Sequence, residues 1–350
     1  GLLYADHYLT GKMTTDDDFD SLSASDLHQT ATEADGRLER EERFSEALSG
    51  LEEQLADLPS FTEVDRYLLS NNDIPAEALA KLDTGKAPRS SYLSSDASKI
   101  QVFVLFGLDG VDSSDSVMLV ALDRVHQKIK LISLARDSYV FIPEFASFSK
   151  LAYSYTWGGA AMAVKNLNYN YYLNVSDYIA VDFDQLAEII DRIGGVTVNI
   201  DEDEARYLSG YPNVHVGDCL LDGKTAVSYA RIRKSSATDS DRKRTGRQRE
   251  VILSILNTLQ TMPLSQYPGF VRDCLGMCAT SFEAETLLTM AAETLGQNYT
   301  VEQYFFPEGQ VDWWAGLIKE YFYYVYDLRR ASDRIYRIIY EELYISGYDD

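Results

Sequence analysis

The sequence has few of the residues that mark several common classes of protein. Its three cysteines, Cys219, Cys274 and Cys278, cannot all pair with one another, so it lacks the even cysteine set of a small disulfide-rich scaffold. Cys274 and Cys278 are four residues apart on a possible helix and could be bridged in an oxidising compartment. Because disulfide geometry is demanding, two buried thiols are the simpler interpretation.

The signatures of several enzyme classes are also missing. The four histidines have no metal-ligand spacing, and the motifs GxxxxGK, GxGxxG, HExxH and GxSxG do not occur. P-loop, dinucleotide-binding, zinc-protease and serine-hydrolase chemistry therefore lose their usual signatures. No run of 18 or more apolar residues occurs, so none of these 350 residues is expected to cross a bilayer. The chain opens with Gly rather than Met, and we expect it to be cut from something longer.

Positive charge is scarce, with 32 Lys and Arg against 55 Asp and Glu and a net charge of −23. A chain this acidic repels nucleic acid at long range, and it has no helix-turn-helix pattern, so no nucleic-acid partner is expected and a transcription regulator is disfavoured. Residues 230–249, ARIRKSSATDSDRKRTGRQR, are the exception, with eight Arg and Lys against two Asp. Any anion-binding function is therefore expected in this stretch.

Residues 1–95 form an acidic segment outside the core, with 20 acidic and 8 basic side chains. Five of its apolar residues are spaced 4, 3, 4 and 3 apart, which places them on one face of a helix: Phe44, Leu48, Leu51, Leu55 and Leu58. Two heptads are short for a coiled coil, so a helix packed on the main domain is preferred to one. The stretch TGKAPRSSYLSSDAS then indicates a linker.

From residue 100 onwards, short β-rich runs alternate with helical patterns. The predicted strands are IQVFVLFG, SVMLVALD, IKLISL, DYIAVDF and GVTVNID. The predicted helices are GGAAMAVKNLNYNYYL, FDQLAEIIDRIG, LDGKTAVSYARIR, TGRQREVILSILNTLQ and SFEAETLLTMAAETL. This alternation predicts an α/β fold, a layered sandwich with a central mixed β-sheet flanked by helices, preceded by a mainly helical acidic N-terminal segment. We divide the chain into 1–95, a domain over 96–300, and an extension over 301–350 that packs on the core.

Charged residues stand at the ends of the predicted strands. Asp109 follows the first strand and Asp115 precedes the second. Two carboxylates at the mouth of such a turn can share a hard cation such as Mg²⁺, although turn aspartates are also common without that role. Arg136 and Asp137 follow the third strand, where they are either an ordinary surface ion pair or a pair directed into the same mouth.

The arginines of the basic stretch have a spacing that suits a doubly charged ligand. Arg231 and Arg233 are two residues apart, while Arg244 and Arg247 are three apart and share a helix face. Guanidinium groups hold phosphate oxygens through paired hydrogen bonds, so four of them with a divalent cation would neutralise a diphosphate. The alternative is a solvated basic loop.

These motifs, taken in order, resemble the LytR-CpsA-Psr family of bacterial cell-envelope proteins over residues 100–262. The segments that carry the resemblance are IDRIGGV, LDGKTAVSYARIR and the string from Asp241 through Arg244 to Arg247 and Gln248. The resemblance implies an extracytoplasmic enzyme anchored in the cell membrane by one N-terminal helix that is absent from this chain. Such enzymes transfer an anionic glycopolymer, such as teichoic acid or capsular polysaccharide, from a polyprenyl diphosphate carrier to peptidoglycan.

The resemblance also implies roles for nine residues. It matches Asp109 and Asp115 to aspartates that hold Mg²⁺, and it assigns Arg136, Asp137, Arg231 and Arg233 to catalysis. The diphosphate ligands that it implies are Arg136, Arg231, Arg233, Arg244, Arg247 and Gln248. The lipid tail is expected in an apolar channel of the α/β domain.

The chain departs from the family pattern at three places. Ser113 stands where an arginine is usual, LARD replaces the commoner Pro-Arg-Asp, and Ala152 stands where an asparagine is usual. Each change could shift substrate choice or weaken catalysis, so a reduced or specialised activity is one expectation. Ser113 and Ala152 also leave open a non-catalytic lipid-glycan binding or scaffold protein of the envelope. A separate alternative is simple hydrolysis of the diphosphate, with water in place of the sugar acceptor.

Overall fold

The structure is a computed structural model that describes residues 58–85, 95–110, 114–233, 237–295, 299–307 and 311–340. The strands in these ranges are β1 Ile100–Leu108, β2 Ser114–Asp123, β3 Lys128–Leu134, β4 Tyr139–Ile142, β5 Ser147–Lys150, β6 Asp177–Asp182, β7 Val196–Ile200, β8 Gly217–Leu221, β9 Ala279–Thr280, β10 Thr300–Phe306, β11 Trp313–Ile318 and β12 Tyr321–Tyr326. The helices are α1 Phe61–Val64, α2 Ala76–Leu79, α3 Leu151–Tyr171, α4 Phe183–Arg192, α5 Glu202–Tyr207, α6 Gly223–Ala230, α7 Ala237–Gln260, α8 Tyr267–Leu275, α9 Ala284–Leu295 and α10 Leu328–Tyr340.

The chain divides into two compact units. The larger unit contains residues 36–178 and 302–350. The smaller unit contains residues 179–301, together with residues 1–35, which lie outside the described ranges. The predicted division into 1–95, 96–300 and 301–350 is a different one and stays a prediction.

The central sheet has six strands in the order β10-β3-β2-β1-β6-β9, as the predicted α/β fold requires. β1, β2 and β3 pair antiparallel, with Leu119 of β2 opposite Val104 on one side and Ile132 on the other. β2 is buried along almost its whole length, which explains why its sequence is continuously apolar rather than alternating. In the larger unit, α3 packs against β2, and α10 packs against β3 and α3.

A second core in the larger unit joins two hairpins, β4–β5 and β11–β12, to the segment that contains α2. β4 packs against β12, and α2 packs against both strands of the β11–β12 hairpin. The buried residues of this core are Leu69, Ile74, Ala78, Tyr139, Ile318, Tyr323 and Val325. The tyrosine-rich C-terminal stretch therefore forms strands that contribute to the core.

The smaller unit is built on the β7–β8 hairpin and the helices around it. Alternate residues of β7, Val196, Val198 and Ile200, are buried, as the period of a strand requires. α7 packs against β7, and α6 packs against α4 and α7. Three aspartates that follow strands begin helices α4, α5 and α6, because each carboxylate accepts the backbone N–H three residues on: Asp182, Asp201 and Asp222.

Helix α3 is broken by two glycines. Gly159 has φ 62° and ψ −158°, a backbone region that only glycine occupies readily. The helix predicted from Gly158 onwards is therefore the second part of α3, and the stretch LAYSYTW forms a first part that the sequence pattern did not predict.

The other predicted strands and helices correspond to elements of the structure. The five predicted strands are β1, β2, β3, β6 and β7, and the other predicted helices match α4, α6, α7 and α9.

Cys274 and Cys278 are free thiols, and burial raises the pKa of each to about 12. Of the residues in the predicted amphipathic helix, only Leu58 lies within the described ranges, so the helix stays a prediction. Within these ranges no helix combines the length and apolarity needed to cross a membrane.

Candidate functional site

The turn between β1 and β2 places Asp115 in a β-bulge. Gly107 pairs with Ser116 and Leu108 pairs with Ser114, so Asp115 is the extra residue between the two pairs. A bulge turns the extra side chain away from its normal strand direction, and bulges are frequent beside functional sites. Asp115 is 5% exposed, and its carboxylate accepts a hydrogen bond from Arg136. Asp109, half-buried, comes directly after β1.

The oxygen atoms of the residues beside this turn are suitable ligands for a hard cation. Asp109 and Asp115 supply carboxylate oxygens, and the Ser114 hydroxyl is buried with no hydrogen-bond partner in the described part of the chain. Oxygen ligands are those that Mg²⁺ prefers, so the residues present fit the predicted ion. In the described ranges no group of three or more His, Cys, Asp or Glu side chains could hold a metal ion, and this turn supplies two carboxylates. Ser113 lies outside those ranges.

Arg136 and Asp137 are part of a partly buried charge network. The Arg136 guanidinium donates to Asp115, and its Nε lies 3.7 Å from Asp137 Oδ2. Lys150 Nζ lies 2.6 Å from Asp137 Oδ1, with both side chains mostly buried. Because these charges are largely withdrawn from water, the network is not the ordinary surface ion pair that was one of the two expectations.

The backbone of the LARDS loop is fixed by two other elements of the larger unit. The carbonyl of Arg136 accepts the N–H of Ala152 at the start of α3, at 3.0 Å. The carbonyl of Asp137 accepts the N–H of Tyr324 in β12, at 2.9 Å. Ala152 therefore holds the loop through its backbone, and this contact does not depend on the asparagine side chain that the family pattern would place there.

Lys150 is a functional candidate that the sequence did not single out. Its ammonium lies 5.3 Å from the ring centre of Tyr323, 5.8 Å from that of Tyr321 and 6.0 Å from that of Tyr153. Aromatic rings at this distance attract a cation, which holds Lys150 beside Asp137. Burial raises the pKa of Tyr153 to about 12, so its hydroxyl stays protonated near neutral pH. A lysine at the end of β5 can be recognised as a candidate only when its contact with Asp137 in the LARDS loop is known.

In the smaller unit, Arg231 and Arg233 are exposed on either side of a buried residue. They follow α6, and the side chain of Ile232 between them is fully buried. The Arg231 guanidinium carbon lies 4.5 Å from the ring centre of Phe183. Two exposed guanidinium groups on a backbone anchored between them can hold an anion with little loss of side-chain freedom.

Arg244, Arg247 and Gln248 are all buried on α7, with exposures of 2%, 5% and 7%. Arg244 and Arg247 therefore share a buried helix face, and the alternative of a solvated basic loop is wrong for them. Arg247 Nε donates to Glu204 Oε1 at 2.6 Å. Gln248 Oε1 is buried and has no hydrogen-bond partner in the described ranges, which leaves it able to accept a donor.

The nine predicted site residues fall into two sets, one in each compact unit. Asp115, Arg136 and Asp137 contact one another in the larger unit, which also contains Asp109. The smaller unit contains the others: Arg231, Arg233, Arg244, Arg247 and Gln248. The first set lies at or beside the ends of strands, whereas in the second set Arg244, Arg247 and Gln248 lie within α7.

The chain is similar to known proteins along most of its length. The family model described as "LytR_cpsA_psr family" matches residues 72–335. A polyisoprenyl-teichoic acid–peptidoglycan teichoic acid transferase TagU of Oceanobacillus iheyensis is 29% identical over 230 residues, which are 63% of this chain and 69% of that protein. The regulatory protein MsrR of Staphylococcus aureus is 30% identical over 184 residues, 50% of this chain and 54% of MsrR.

Two solved structures share the fold. The structure titled "TagT bound to LIIa-WTA" has a TM-score of 0.59 and 19% identity, covering 73% of this chain and 97% of that one. TagT with bound octaprenyl pyrophosphate lipid has a TM-score of 0.54 and 18% identity, covering 75% and 97%. At these identities the likeness concerns the fold.

Proposed function

The chain belongs to the LytR_cpsA_psr family, and from this we propose that it transfers an anionic glycopolymer from a polyprenyl diphosphate carrier to peptidoglycan. The observation that carries the proposal is that the family match over 72–335 includes all nine site residues. Two relatives are named teichoic acid transferases that act on peptidoglycan, and one structural neighbour holds a polyprenyl pyrophosphate. The polymer is a teichoic acid, a capsular polysaccharide or a similar glycan.

The proposed step is a phosphoryl transfer. A hydroxyl oxygen of the peptidoglycan sugar forms a bond to the phosphorus that carries the glycopolymer. The bond from that phosphorus to the bridging oxygen breaks, so polyprenyl monophosphate leaves and the hydroxyl proton is released. A new phosphodiester joins polymer and wall. Such a reaction depends mainly on positioning and on neutralising charge, which explains why none of the usual nucleophile motifs is needed.

The arginines are proposed to hold the diphosphate. Arg231 and Arg233 are exposed, and their planar guanidinium groups can each donate paired hydrogen bonds to phosphate oxygens. Arg136 is held beside Asp115 and Asp137, which fix its direction. Arg244 and Gln248, which the resemblance also assigns to the diphosphate, are buried on α7.

Asp109 and Asp115 are the residues proposed to hold Mg²⁺. When bound, this ion would neutralise part of the diphosphate charge and orient its oxygens. The resemblance to the family implies an extracytoplasmic enzyme anchored in the cell membrane, and we propose the same location for this protein.

A donor and acceptor assay tests the proposal. A radiolabelled polyprenyl diphosphate-linked N-acetylhexosamine is incubated with Mg²⁺, with and without a peptidoglycan fragment. Label that moves to the fragment supports transfer, whereas release of label without the fragment indicates hydrolysis, and binding without turnover indicates a scaffold protein.

Arg231→Ala and Arg233→Ala are each expected to lower transfer by about a hundredfold or more, since each removes a charged group from the diphosphate. Arg206→Ala is the matched control, because Arg206 is an exposed arginine of the same unit that pairs with Asp203 on its own helix α5. Unchanged turnover in Arg231→Ala or Arg233→Ala would count against the proposal.

A further inference from the structure

The buried pair Arg247–Glu204 has a geometry that does not suit a phosphate ligand. The family resemblance assigns Arg247 to the diphosphate, together with Arg231 and Arg233. We infer that Arg247 and Glu204 form a positioning pair, which fixes the backbone between Arg231 and Arg233 and does not itself bind the diphosphate. This inference rests on the proposed function, because it concerns how that donor is held.

Three contacts of Arg247 within the smaller unit define its surroundings. Its Nε donates to Glu204 Oε1 at 2.6 Å, and its Nη1 donates to the carbonyl of Ile232 at 3.1 Å. Its guanidinium carbon lies 6.0 Å from the ring centre of Tyr229. The side chain is buried, so the guanidinium is enclosed by an acid, a carbonyl and an aromatic ring.

Glu204 is itself held in place by the start of helix α5. Its Oε2 accepts the N–H of Asp201 at 2.9 Å, and its own N–H donates to Asp201 Oδ1 at 2.8 Å, which is a complete capping box. One carboxylate therefore connects the beginning of α5 to the guanidinium of Arg247. Since Glu204 is buried, its charge needs this partner.

The pair acts on the backbone at Ile232, whose carbonyl accepts a hydrogen bond from Arg247. The side chain of Ile232 is fully buried and its carbonyl is held by Arg247, so this residue is fixed at two points. Arg231 and Arg233 on either side are exposed. Fixing the backbone between them sets the positions from which the two exposed side chains extend before any anion arrives, which removes part of the ordering cost of binding.

A direct role for Arg247 would depend on the N–H donors that its present contacts leave over. Glu204 and Ile232 use Nε and one hydrogen of Nη1, so Nη2 and the second hydrogen of Nη1 remain. The side chain is only 5% exposed, so an anion would reach these donors only if the guanidinium moved outwards. That movement would leave the buried Glu204 carboxylate without its cation, which is costly. A positioning role needs no such movement.

Glu204→Gln separates the two roles because they predict opposite results. Affinity for a fluorescent octaprenyl diphosphate is measured in detergent by anisotropy, using the full chain. If Arg247 positions the loop, Glu204→Gln weakens binding by about tenfold, because the guanidinium loses its anchor. If Arg247 is a ligand, loss of the competing carboxylate leaves binding unchanged or tighter. Glu202→Gln is the matched control, since Glu202 is an exposed glutamate of the same helix.

Two further variants test how Arg247 acts. Arg247→Met is expected to weaken binding in the wild-type background but to add little in Arg231→Ala/Arg233→Ala, because the positioned groups are already gone. Arg247→Lys is expected to bind as weakly as Arg247→Met, since an ammonium cannot donate in two fixed directions as the planar guanidinium does. A direct phosphate ligand would be largely rescued by Lys, which binds phosphate as a point charge.

Each variant is compared at a temperature where circular dichroism shows the native fold, and Arg247→Lys serves if Glu204→Gln does not fold. Tight binding by Glu204→Gln, rescue by Lys, or additive loss with Arg231→Ala/Arg233→Ala would overturn the inference. Unchanged binding in all Arg247 and Glu204 variants would overturn it as well. Failure of the wild-type chain to bind or transfer the donor would instead overturn the proposed function.

Discussion

Residues of the same type have very different surroundings in this protein. Arg231 and Arg233 are exposed, whereas Arg244 and Arg247 are buried on α7. A buried charge is stable only with a partner, so its removal affects folding, while an exposed charge is available to a ligand. The effect of a substitution at this scale therefore depends on burial as well as on charge.

Asp115→Asn is expected to lower the free energy of unfolding by about 2 kcal/mol, because it removes the carboxylate that faces the mostly buried Arg136. The change is measured by urea denaturation at neutral pH. Asp333→Asn is the control, since Asp333 pairs with Arg337 on a half-exposed helix face. It should cost only about 0.5 kcal/mol. Equal effects of the two substitutions would contradict the importance of burial.

The buried carboxylate Asp123 predicts a loss of stability in acid. Burial opposes its ionisation, but hydrogen bonds from His126 and the charge of Lys130 outweigh this, so the pKa of Asp123 is lowered. The folded pKa lies below the unfolded value of about 3.9, so the stabilisation is present above that value and is lost as pH falls through the folded pKa.

The measurement is the free energy of unfolding between about pH 2 and pH 6, compared with Asp123→Asn. The variant should be less stable at pH 6, and the difference should narrow as the wild-type carboxyl is protonated. A difference that stays constant over the whole range would contradict the assignment.

The sequence predicts where several of these residues stand but not what surrounds them. Asp109, Asp182, Asp201 and Asp222 all come at or near strand ends, yet the last three are helix caps. The bulge that redirects Asp115 depends on how two strands pair, which a single strand does not encode. Lys150 gains its role from partners elsewhere in the fold, which explains why sequence reasoning missed it.

At the scale of elements, glycines allow a break within one helix, α3, and a close approach between two others, α4 and α6. Gly159→Ala is expected to destabilise the protein by about 1 to 3 kcal/mol, because the new side chain would occupy open space but force a backbone region reserved for glycine. Gly269→Ala also enters open space, but within helix α8, and should stabilise by about 0.5 kcal/mol. Thermal unfolding distinguishes the opposite signs; the same sign for both would refute the backbone argument.

Gly223→Ala tests the close approach of helices α4 and α6. A Cβ at this position would lie 2.0 Å from the carbonyl oxygen of Ala187, so one helix must move. We expect a loss of about 3 kcal/mol in unfolding free energy, and weaker donor binding because α6 leads directly to Arg231. Gly210→Ala, which meets no atom within 4 Å, is the control and should be neutral. Full stability of Gly223→Ala would show that the helices adjust freely.

Element types were easier to predict than element limits. The strands β1, β2 and β3 are clear from runs of β-branched and apolar residues, because β2 and β3 are buried almost throughout and β1 is buried in part. Helix α3 begins seven residues before the predicted start, since the two glycines suggested a boundary where there is only a break.

At the scale of the whole molecule, the net charge of −23 opposes the compact state. Raising NaCl from about 10 mM to about 300 mM should therefore raise the melting temperature by a few degrees, as the repulsion is screened. The same salt should weaken binding of the diphosphate donor, which depends on local arginines. Differential scanning calorimetry and anisotropy give the two measurements, with KCl as a check for ion-specific effects. A melting temperature that falls with both salts would contradict this expectation.

The division into two units was not predicted, because the larger one is assembled from residues 36–178 and 302–350. No local pattern marks segments that far apart as partners. The family resemblance nevertheless predicts the type of reaction. The order of the motifs can be recognised in the sequence, even though the grouping of distant segments in space cannot.

The hydrogen bond from Tyr324 to the carbonyl of Asp137 joins residues from the two segments of the larger unit. During synthesis the ribosome must release the chain beyond residue 324 before this contact can form, so until then the LARDS loop lacks one of the two backbone hydrogen bonds that hold it. Stalled chains that end before β12 are accordingly expected to be cut by protease near Arg136, and the completed protein to resist.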